Sequence, residues 1–232
     1  KVAEIPPGPP VLSTLVSEIY GPTREARVEL ARKVLEIYET TDGVVDTDWL
    51  VEASQTKRIF RVDREKAALQ GVPAVEVARA LGLALDGESA GMLRDADEAE
   101  PVSIELRLPR TQRSSVGELG RIRGASMNGA LVPLSELVRV EEATLAPSRH
   151  RKNLRPVVYV TGDVAGAMES PVYALLEMGK RIDEIETPDG ARVTQLWSGE
   201  PATEEQVSMK WDGEWQITYE VFRDMGVAFA VV

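Results

Sequence analysis

The residues that could support catalysis are few and widely separated along the chain. The single histidine, His150, lies in a basic run with Arg149, Arg151 and Lys152. Nucleophilic catalysis needs a hydroxyl or thiol beside a base, and a third group that orients the base. His150 is not part of such a Ser–His–Asp pattern, so the sequence predicts no catalytic residue.

The basic run around His150 is open to two interpretations. Its positive charges could meet a phosphate group or an acidic partner. Runs of charge on a protein surface are more often solvated segments that connect domains. The solvated connecting segment is the favoured interpretation, and anion binding remains the alternative.

Acidic residues and methionines could instead hold a metal ion. Asp95, Asp97, Glu98 and Glu100 form an acidic stretch, but they lack the spacing and central glycine of an EF-hand, so we expect an exposed loop. Scattered methionines favour gap-filling in cores over a soft-metal pathway. The methionines are Met92, Met127, Met168, Met178, Met209 and Met225. We predict no metal site and no cofactor, and no glycine-rich phosphate loop is present in the sequence.

Charge and composition exclude several classes of function. The 232 residues are 43% hydrophobic and carry a formal net charge of −11, which is ordinary for a globular protein. This acidic balance argues against a general nucleic-acid binder, which would show a basic face, and against docking on anionic lipid. Because the chain has no cysteine, thiolate catalysis, disulfides and cysteine-based zinc sites are excluded.

The elements that must position any site begin with a β–α–β unit. Residues 11–20 are rich in strand-forming residues. Thr23 can cap a helix over residues 24–40, and residues 44–51 are expected to form a second strand. The apolar face of the helix consists of Ala31, Val34, Leu35 and Tyr38.

A second β–α–β unit follows far downstream. Residues 155–164 are expected to form a strand, Ser170 and Pro171 open a helix, and another strand runs to Trp197. The buried stripe of this helix is predicted to be Val172, Leu175, Leu176, Gly179 and Ile182. Two such units would make a four-stranded sheet covered by two helices. The predicted fold class is therefore α+β, with a ferredoxin-like split βαβ arrangement.

A long insertion separates the two units. Residues 57–63 are expected to be a strand, and Val102, Ile104, Leu106 and Leu108 alternate with polar residues as in a half-buried strand. Asn128-Gly129 is a hairpin signal, because this pair tolerates positive φ values. The insertion therefore predicts a second α+β domain threaded through the first.

Several motifs, taken in order, resemble the resistance–nodulation–division (RND) family of efflux transporters of the AcrB/AcrD/AcrF type. DREKAALQGV at 63–72 resembles the family's D-x-E-K-A-x-x-x-G-V segment, and GALVPLSEL at 129–137 resembles its G-x-x-V-P-L-S-x-L hairpin. Further matches in the family's order are 75–77, 85–88, 101–109, 153–156 and 222–226. The resemblance extends over nearly the whole chain.

The resemblance implies an organisation into subdomains. Residues 1–63 and 151–205 correspond to a discontinuous porter subdomain, the second one of the C-terminal half (PC2), and residues 64–150 correspond to the inserted docking subdomain (DC). Residues 206–232, with aromatic residues and an apolar end, are expected to lead into a truncated transmembrane helix. We expect the segment from Glu200 onward to be poorly packed, with its tryptophans and tyrosine at the membrane interface.

The resemblance also implies a function, partners and a location. The family consists of proton-driven, homotrimeric antiporters of the bacterial inner membrane that pass small-molecule substrates through a periplasmic adaptor protein to an outer-membrane channel. This part would be periplasmic and not an enzyme. The substrate cleft would lie along the first strand, with Leu12, Thr14 and Val16 as the candidate lining. The opposite face, Ser13, Leu15 and Ser17, is the alternative lining. A further interpretation, favoured by ordinary core statistics, is that the apolar residues of this strand pack under the helices. Tyr20 is the only aromatic residue of the strand, which argues against a broad specificity for hydrophobic drugs.

Two other functions remain open from the sequence. The chain could be a stand-alone soluble protein that binds a small ligand on its ferredoxin-like face. It could also be a fragment of an RND pump specific for heavy metals, which would require Met, Asp or Glu side chains to converge on one cleft.

Overall fold

The computed structural model describes residues 11–95, 97–166, 170–187, 190 and 192–231, and they divide into two compact units. The discontinuous unit contains the residues up to Ala53 and those from Ala146 onward, and the inserted unit is Ser54–Leu145. Met168, one of the six methionines considered in the sequence analysis, lies outside the described residues.

The discontinuous unit contains strands and helices from both ends of the chain. In chain order they are β1 (Leu15–Tyr20), α1 (Arg24–Glu39), β2 (Val44–Trp49), β9 (His150–Lys152), β10 (Arg155–Val164), α7 (Pro171–Ile182), β11 (Thr194–Leu196), β12 (Ser208–Gly213) and α8 (Glu214–Val231). The inserted unit contains β3 (Thr56–Val62), α2 (Arg64–Leu69), α3 (Ala74–Leu85), β4 (Glu88–Leu93), β5 (Val102–Leu106), α4 (Arg110–Arg113), α5 (Val116–Gly120), β6 (Arg123–Ala125), β7 (Leu131–Pro133), α6 (Leu134–Leu137) and β8 (Val138–Thr144).

The sheet of the discontinuous unit has the strand order β11-β12-β1-β10-β2, with β9 paired to β10. The strand β1 is antiparallel to both β10 and β12. If β12 is counted as the fourth strand, the order 4-1-3-2 with α1 and α7 as crossovers is the predicted ferredoxin-like arrangement.

The identity of the fourth strand differs from the prediction. The predicted strand ending at Trp197 is only three residues long, β11, and it lies at the sheet edge, parallel to β12. The place beside β1 is taken by β12, whose Met209 and Trp211 are fully buried. The expectation that the segment from Glu200 onward is poorly packed was therefore wrong for Ser208–Gly213, because alternating apolar residues there complete the core.

Local sequence explains both crossover helices. The Thr23 side chain accepts a hydrogen bond from the Ala26 N–H (3.1 Å), and Ser170 accepts one from the Val172 N–H (3.4 Å), so both predicted caps are present. The buried face of α1 is Leu30, Ala31, Val34, Ile37 and Tyr38. On α7 the buried residues are Ala174, Leu175, Met178, Gly179 and Ile182, whereas the predicted Leu176 is half-exposed.

The inserted unit has a smaller core of its own. Its buried apolar residues come from the α2–α3 region and from the segment around α6: Ala67, Val72, Val77, Val132, Leu134 and Leu137. The predicted hairpin at Asn128-Gly129 joins β6 to β7, and Gly129 has a φ of 84°, which an L-residue rarely adopts. The alternating residues Val102, Ile104 and Leu106 lie on β5, which is exposed along its whole length, so their prediction as a half-buried face was wrong.

The boundaries of the inserted unit also differ from the predicted 64–150. Residues 56–62 pair along their whole length with β8 inside this unit, so the unit starts at Ser54 and not after Asp63. Residues 146–150 belong to the discontinuous unit, where His150 pairs with Val157. The sequence motifs therefore locate the inserted unit only approximately, and strand pairing determines the residues at which it begins and ends.

The helix α8 follows β12 directly and none of its residues is buried. Its aromatic and apolar residues Phe222, Met225, Val227 and Phe229 are exposed. Among the described residues, no helix combines the length and the hydropathy that crossing a membrane requires. That residues 206–232 lead into a truncated transmembrane helix stays a prediction.

Replacement of Trp211 by alanine should destabilise the protein strongly. Its ring is fully buried, stacks on Tyr38 (centroids 6.4 Å apart) and donates a hydrogen bond to the Gln195 side-chain oxygen (3.1 Å). Large-to-small changes at such sites cost about 3–5 kcal/mol. The matched change Phe222→Ala, on exposed α8, should alter the free energy of unfolding by less than about 0.5 kcal/mol. Urea unfolding of both variants measures this, and equal losses would contradict the placement of β12 in the core.

Candidate functional site

One face of the sheet is covered by helices and the other is not. Leu15 and Ile19 of β1 point into the core beneath α1 and α7. Because side chains alternate along a strand, Val16, Glu18 and Tyr20 point to the opposite face. That helix-free face is nevertheless closed over β1, since all six of its residues are buried.

The predicted cleft residues lie at the start of β1 and only partly on it. Leu12 is exposed, Thr14 is half-buried, and Val16 is buried on the helix-free face. Their role in a substrate cleft remains a prediction. The residues of the alternative set do not share one surface. Leu15 and Ser17 point under the helices, where the Ser17 and Tyr38 hydroxyl groups form a hydrogen bond (2.8 Å). Ser13 donates a hydrogen bond to the Asp163 carboxylate (2.8 Å).

The centre of the helix-free face is a charged cluster of Glu18, Lys152, Lys210 and Asp212. The Lys152 ammonium donates hydrogen bonds to the Glu18 and Asp212 carboxylates. The Lys210 ammonium lies 3.6 Å from the second Glu18 oxygen. The cross-strand pairs explain this convergence, because Lys210 lies opposite Glu18, and Asp212 lies opposite Val16.

Burial perturbs the protonation of this cluster. The Glu18 side chain is completely buried, and burial, followed by the neighbouring Asp212 carboxylate, raises its pKa above the ordinary glutamate value. Burial opposes ionisation of Asp212 too, but hydrogen bonds from Glu18 and Lys152 hold its pKa below the usual range. Burial and the Glu18 carboxylate raise the pKa of Tyr20, whose hydroxyl donates to Glu18 (2.8 Å). Glu18 is therefore the group in this cluster that can bind a proton most readily.

The cluster reaches solvent on one side. The Glu18 side chain is 0% exposed, whereas Asp212 is 19% and Lys152 is 33% exposed. With both carboxylates ionised, the two ammonium groups and two carboxylates have no net charge. Within the described residues, no group of three or more His, Asp or Glu side chains is placed to hold a metal ion.

Sequence reasoning missed this cluster. Lys152 belongs to the basic run that was expected to be a solvated connecting segment, but His150–Lys152 forms β9 on the sheet, and Lys152 is ion-paired. The signal that could have found it is Glu18, a carboxylate in the middle of a strand whose other residues are mostly apolar. A buried carboxylate requires a cationic or hydrogen-bonding partner.

The sequence profile of the AcrB/AcrD/AcrF family matches residues 11–212 of the chain. The chain belongs to this family. The match covers β1 through β12, including the insertion, and agrees with the resemblance that the motifs indicate.

The curated relatives of this AcrB/AcrD/AcrF-family chain are much longer than the chain itself. It is 26% identical over 165 residues to the cobalt-zinc-cadmium resistance protein CzcA of Cupriavidus metallidurans, covering 67% of this chain and 15% of that protein. Identity to the nickel and cobalt resistance protein CnrA of the same species is 26% over 161 residues, with the same coverage. The swarming motility protein SwrC of Bacillus subtilis is 18% identical over 175 residues, covering 75% of this chain and 16% of SwrC. The chain thus spans about 15% of the length of the first of these relatives.

Solved structures share the fold of this family member. A crystal structure of a heavy metal efflux pump matches 95% of this chain and 21% of its own, with a TM-score of 0.68 and 20% identity. A second crystal form gives a TM-score of 0.65 at 19% identity, covering 94% of this chain and 21% of its own. At this level of identity the likeness establishes the α+β fold.

Replacement of Lys152 by methionine should destabilise the protein in a pH-dependent manner. Without this ammonium group, the pKa of Glu18 in the folded protein rises further above its unfolded value. Stability is then lost as the pH rises through the folded-state pKa. Removing one partner of a buried ion pair costs about 3–5 kcal/mol of stability. Because Lys152 is partly exposed, we expect the free energy of unfolding to fall by about 2–4 kcal/mol near pH 7.5. The loss should be clearly smaller near pH 4.5, where Glu18 is more readily protonated.

Urea unfolding at both pH values tests this expectation. The double variant Lys152→Met with Glu18→Gln should recover part of the loss near neutral pH, because it removes the uncompensated buried charge. Lys57→Met, at an exposed position of β3, is the matched control and should be nearly neutral. An equal deficit for Lys152→Met at both pH values would argue that its hydrocarbon stem, and not its charge, stabilises the fold.

Proposed function

We propose that this chain forms part of the porter and docking region of a proton-driven RND efflux permease. The observation that carries the proposal is the combination of family membership over residues 11–212 with a ferredoxin-like unit that is interrupted, between β2 and β9, by a second α+β unit. In this proposal the discontinuous unit is the PC2 porter subdomain and the inserted unit is the DC docking subdomain.

The helix-free face is the proposed side of the substrate cleft. A porter subdomain would swing against its neighbour as a near-rigid body, which opens and closes the cleft between them. Of the predicted lining, Leu12 and Thr14 begin this wall and Val16 lies buried behind its surface. The solvent-reaching parts of Asp212 and Lys152 continue the wall. The neighbouring subdomain supplies the other wall.

A divalent metal ion is the cargo that the relatives favour. Two of them are named for resistance to cobalt, zinc, cadmium or nickel. The wall contributed here has few aromatic residues, in contrast to what binding of large hydrophobic drugs requires. In the described residues no three-ligand group is preformed, so a metal ion would take ligands from this wall and from the neighbouring subdomain together. Small organic molecules are the second candidate cargo.

The proposal extends to assembly and location. The permease would be a homotrimer in the inner membrane with this region on the periplasmic side. It would meet a periplasmic adaptor protein and an outer-membrane channel. The chain itself would carry out gating, substrate contact and docking, and no chemical conversion.

Disruption of the gene that encodes this chain should raise the cellular content of the cargo. Cells would be loaded with zinc, cobalt or a cationic dye, and the retained amounts would be measured by mass spectrometry and fluorescence. Retention of metal but not dye identifies a metal pump, and the reverse identifies a pump for organic compounds. Unchanged retention and unchanged resistance to both classes would reject the efflux function.

Complementation links the phenotype to the charged cluster. A gene carrying Asp212→Asn should restore efflux poorly, because the solvent-reaching carboxylate of the wall is lost. Glu142→Gln, on exposed β8 of the inserted unit, is the matched control and should restore it fully. The two variants must be present at equal protein levels by immunoblot, and equal efflux by both would remove the charged cluster from the proposed wall.

A further inference from the structure

A concave site lies in the discontinuous unit, apart from the charged cluster. It is a cavity of about 340 Å³. The first turn of α1 contributes Arg24 and Arg27, and the segment that includes β9 contributes Arg149 and Arg151. The two lysines of the charged cluster, Lys152 and Lys210, are not among the lining residues. The cavity is therefore a distinct feature with a strongly cationic lining.

The guanidinium groups of the cavity are incompletely paired. Arg24 and Arg149 make no hydrogen bond or ion pair with the part of the chain that the structure describes. Arg27 donates through Nη1 to the Gly21 carbonyl (2.6 Å), but its Nε is buried without a partner. Burial lowers the pKa of Arg27, the charges of Glu204 and Glu25 oppose this shift, and the charges of Arg24 and Arg151 add to it. These donors favour an added negative charge.

The carboxylates near the cavity do not balance these charges. Glu25 is the acidic residue among the lining side chains. Glu52 accepts hydrogen bonds from the Ser148 N–H (2.9 Å) and hydroxyl (2.6 Å), which lowers its pKa and commits both of its oxygens. The Glu204 Oε1 atom lies 3.7 Å from the Arg155 Nε atom, so this carboxylate is paired with an arginine that does not line the cavity. In a chain with a net charge of −11, a local excess of arginine is a specific feature and not a consequence of composition.

The remaining walls of the cavity are apolar. They are formed by Val28 of α1, Leu50 and Val51 after β2, and Pro156 and Val157 of β10. A small inorganic oxyanion would leave these walls uncovered, whereas an organic anion can cover them and still present its charge to the guanidinium groups. Arginine is suited to the acidic group of such a ligand, since its planar guanidinium binds carboxylate, sulfonate or phosphate oxygens through two donors.

We propose that this cavity binds an amphipathic organic anion, a compound with one compact apolar group and one carboxylate or sulfonate. Its acidic oxygens lie between the Arg24 and Arg149 guanidinium groups, and its apolar group contacts Val28, Leu50 and Val157. The proposal stands independently of the efflux function, since every residue it uses belongs to one compact unit.

Titration of the 232-residue chain with naphthalene-2-sulfonate, followed by amide NMR, tests the proposal. We expect saturable shifts centred on Val28, Leu50, His150 and Val157. The double variant Arg24→Gln with Arg149→Gln should weaken binding by at least about tenfold, which is the loss expected when charge-assisted hydrogen bonds are removed. Arg58→Gln with Arg123→Gln, both exposed in the inserted unit, should change the affinity by less than about twofold.

Two further ligands separate charge recognition from shape. The neutral naphthalene-2-methanol should bind much more weakly, and so should inorganic sulfate. Equal binding of the neutral alcohol would overturn the proposal in favour of a merely apolar contact, and equal binding of sulfate would overturn it in favour of a simple oxyanion. Shifts that centre on exposed α8, or undiminished binding by a folded Arg24→Gln, Arg149→Gln variant, would also overturn it.

Discussion

The burial of β1 on both faces is the constraint from which the rest of the discontinuous unit follows. One face is apolar and is covered by α1 and α7, but the other presents the Glu18 carboxylate with no exposure to water. An unpaired carboxylate in that position would cost several kcal/mol. Two strands that follow the insertion supply its partners: β9 brings Lys152 and β12 brings Lys210. The inserted unit can be long because only the strand that follows it has to return to this point.

An ion cluster is a costly way to close a face, because apolar residues of similar volume often stabilise a fold equally well or better. Its value lies in contacts that are complete within one unit. In the proposed porter, a subdomain that moves against a neighbour would not have to depend on that neighbour to neutralise its charges. In the charged cluster, each ammonium group meets a carboxylate of the same sheet. The face can be wetted or covered without leaving a buried charge unpaired, and an apolar face would favour the covered state alone.

Much of the fold could be predicted from local patterns. The caps at Thr23 and Ser170, the helical spacing of Val34 and Tyr38, and the Asn128-Gly129 turn each have a short-range physical cause, and the structure contains them all. The fourth strand could not be assigned, because Met209 and Trp211 are equally compatible with a membrane interface when the partner strand is unknown. The edges of the inserted unit were missed for the same reason, since the pairing of β3 with β8 joins residues that are distant in sequence.

The candidate site was harder to predict than the fold, because tertiary contacts decide whether a charged side chain is solvated, ion-paired or part of a cavity. The basic run at 149–152 is the clearest case. Strand pairing divides it: Lys152 reaches Glu18 and Asp212, while Arg149 and Arg151 line a cavity with apolar walls. Neighbouring residues of like charge thus belong to two different surfaces. A single sequence cannot distinguish this arrangement from a solvated segment, since the deciding partner, Glu18, is more than a hundred residues away in the chain.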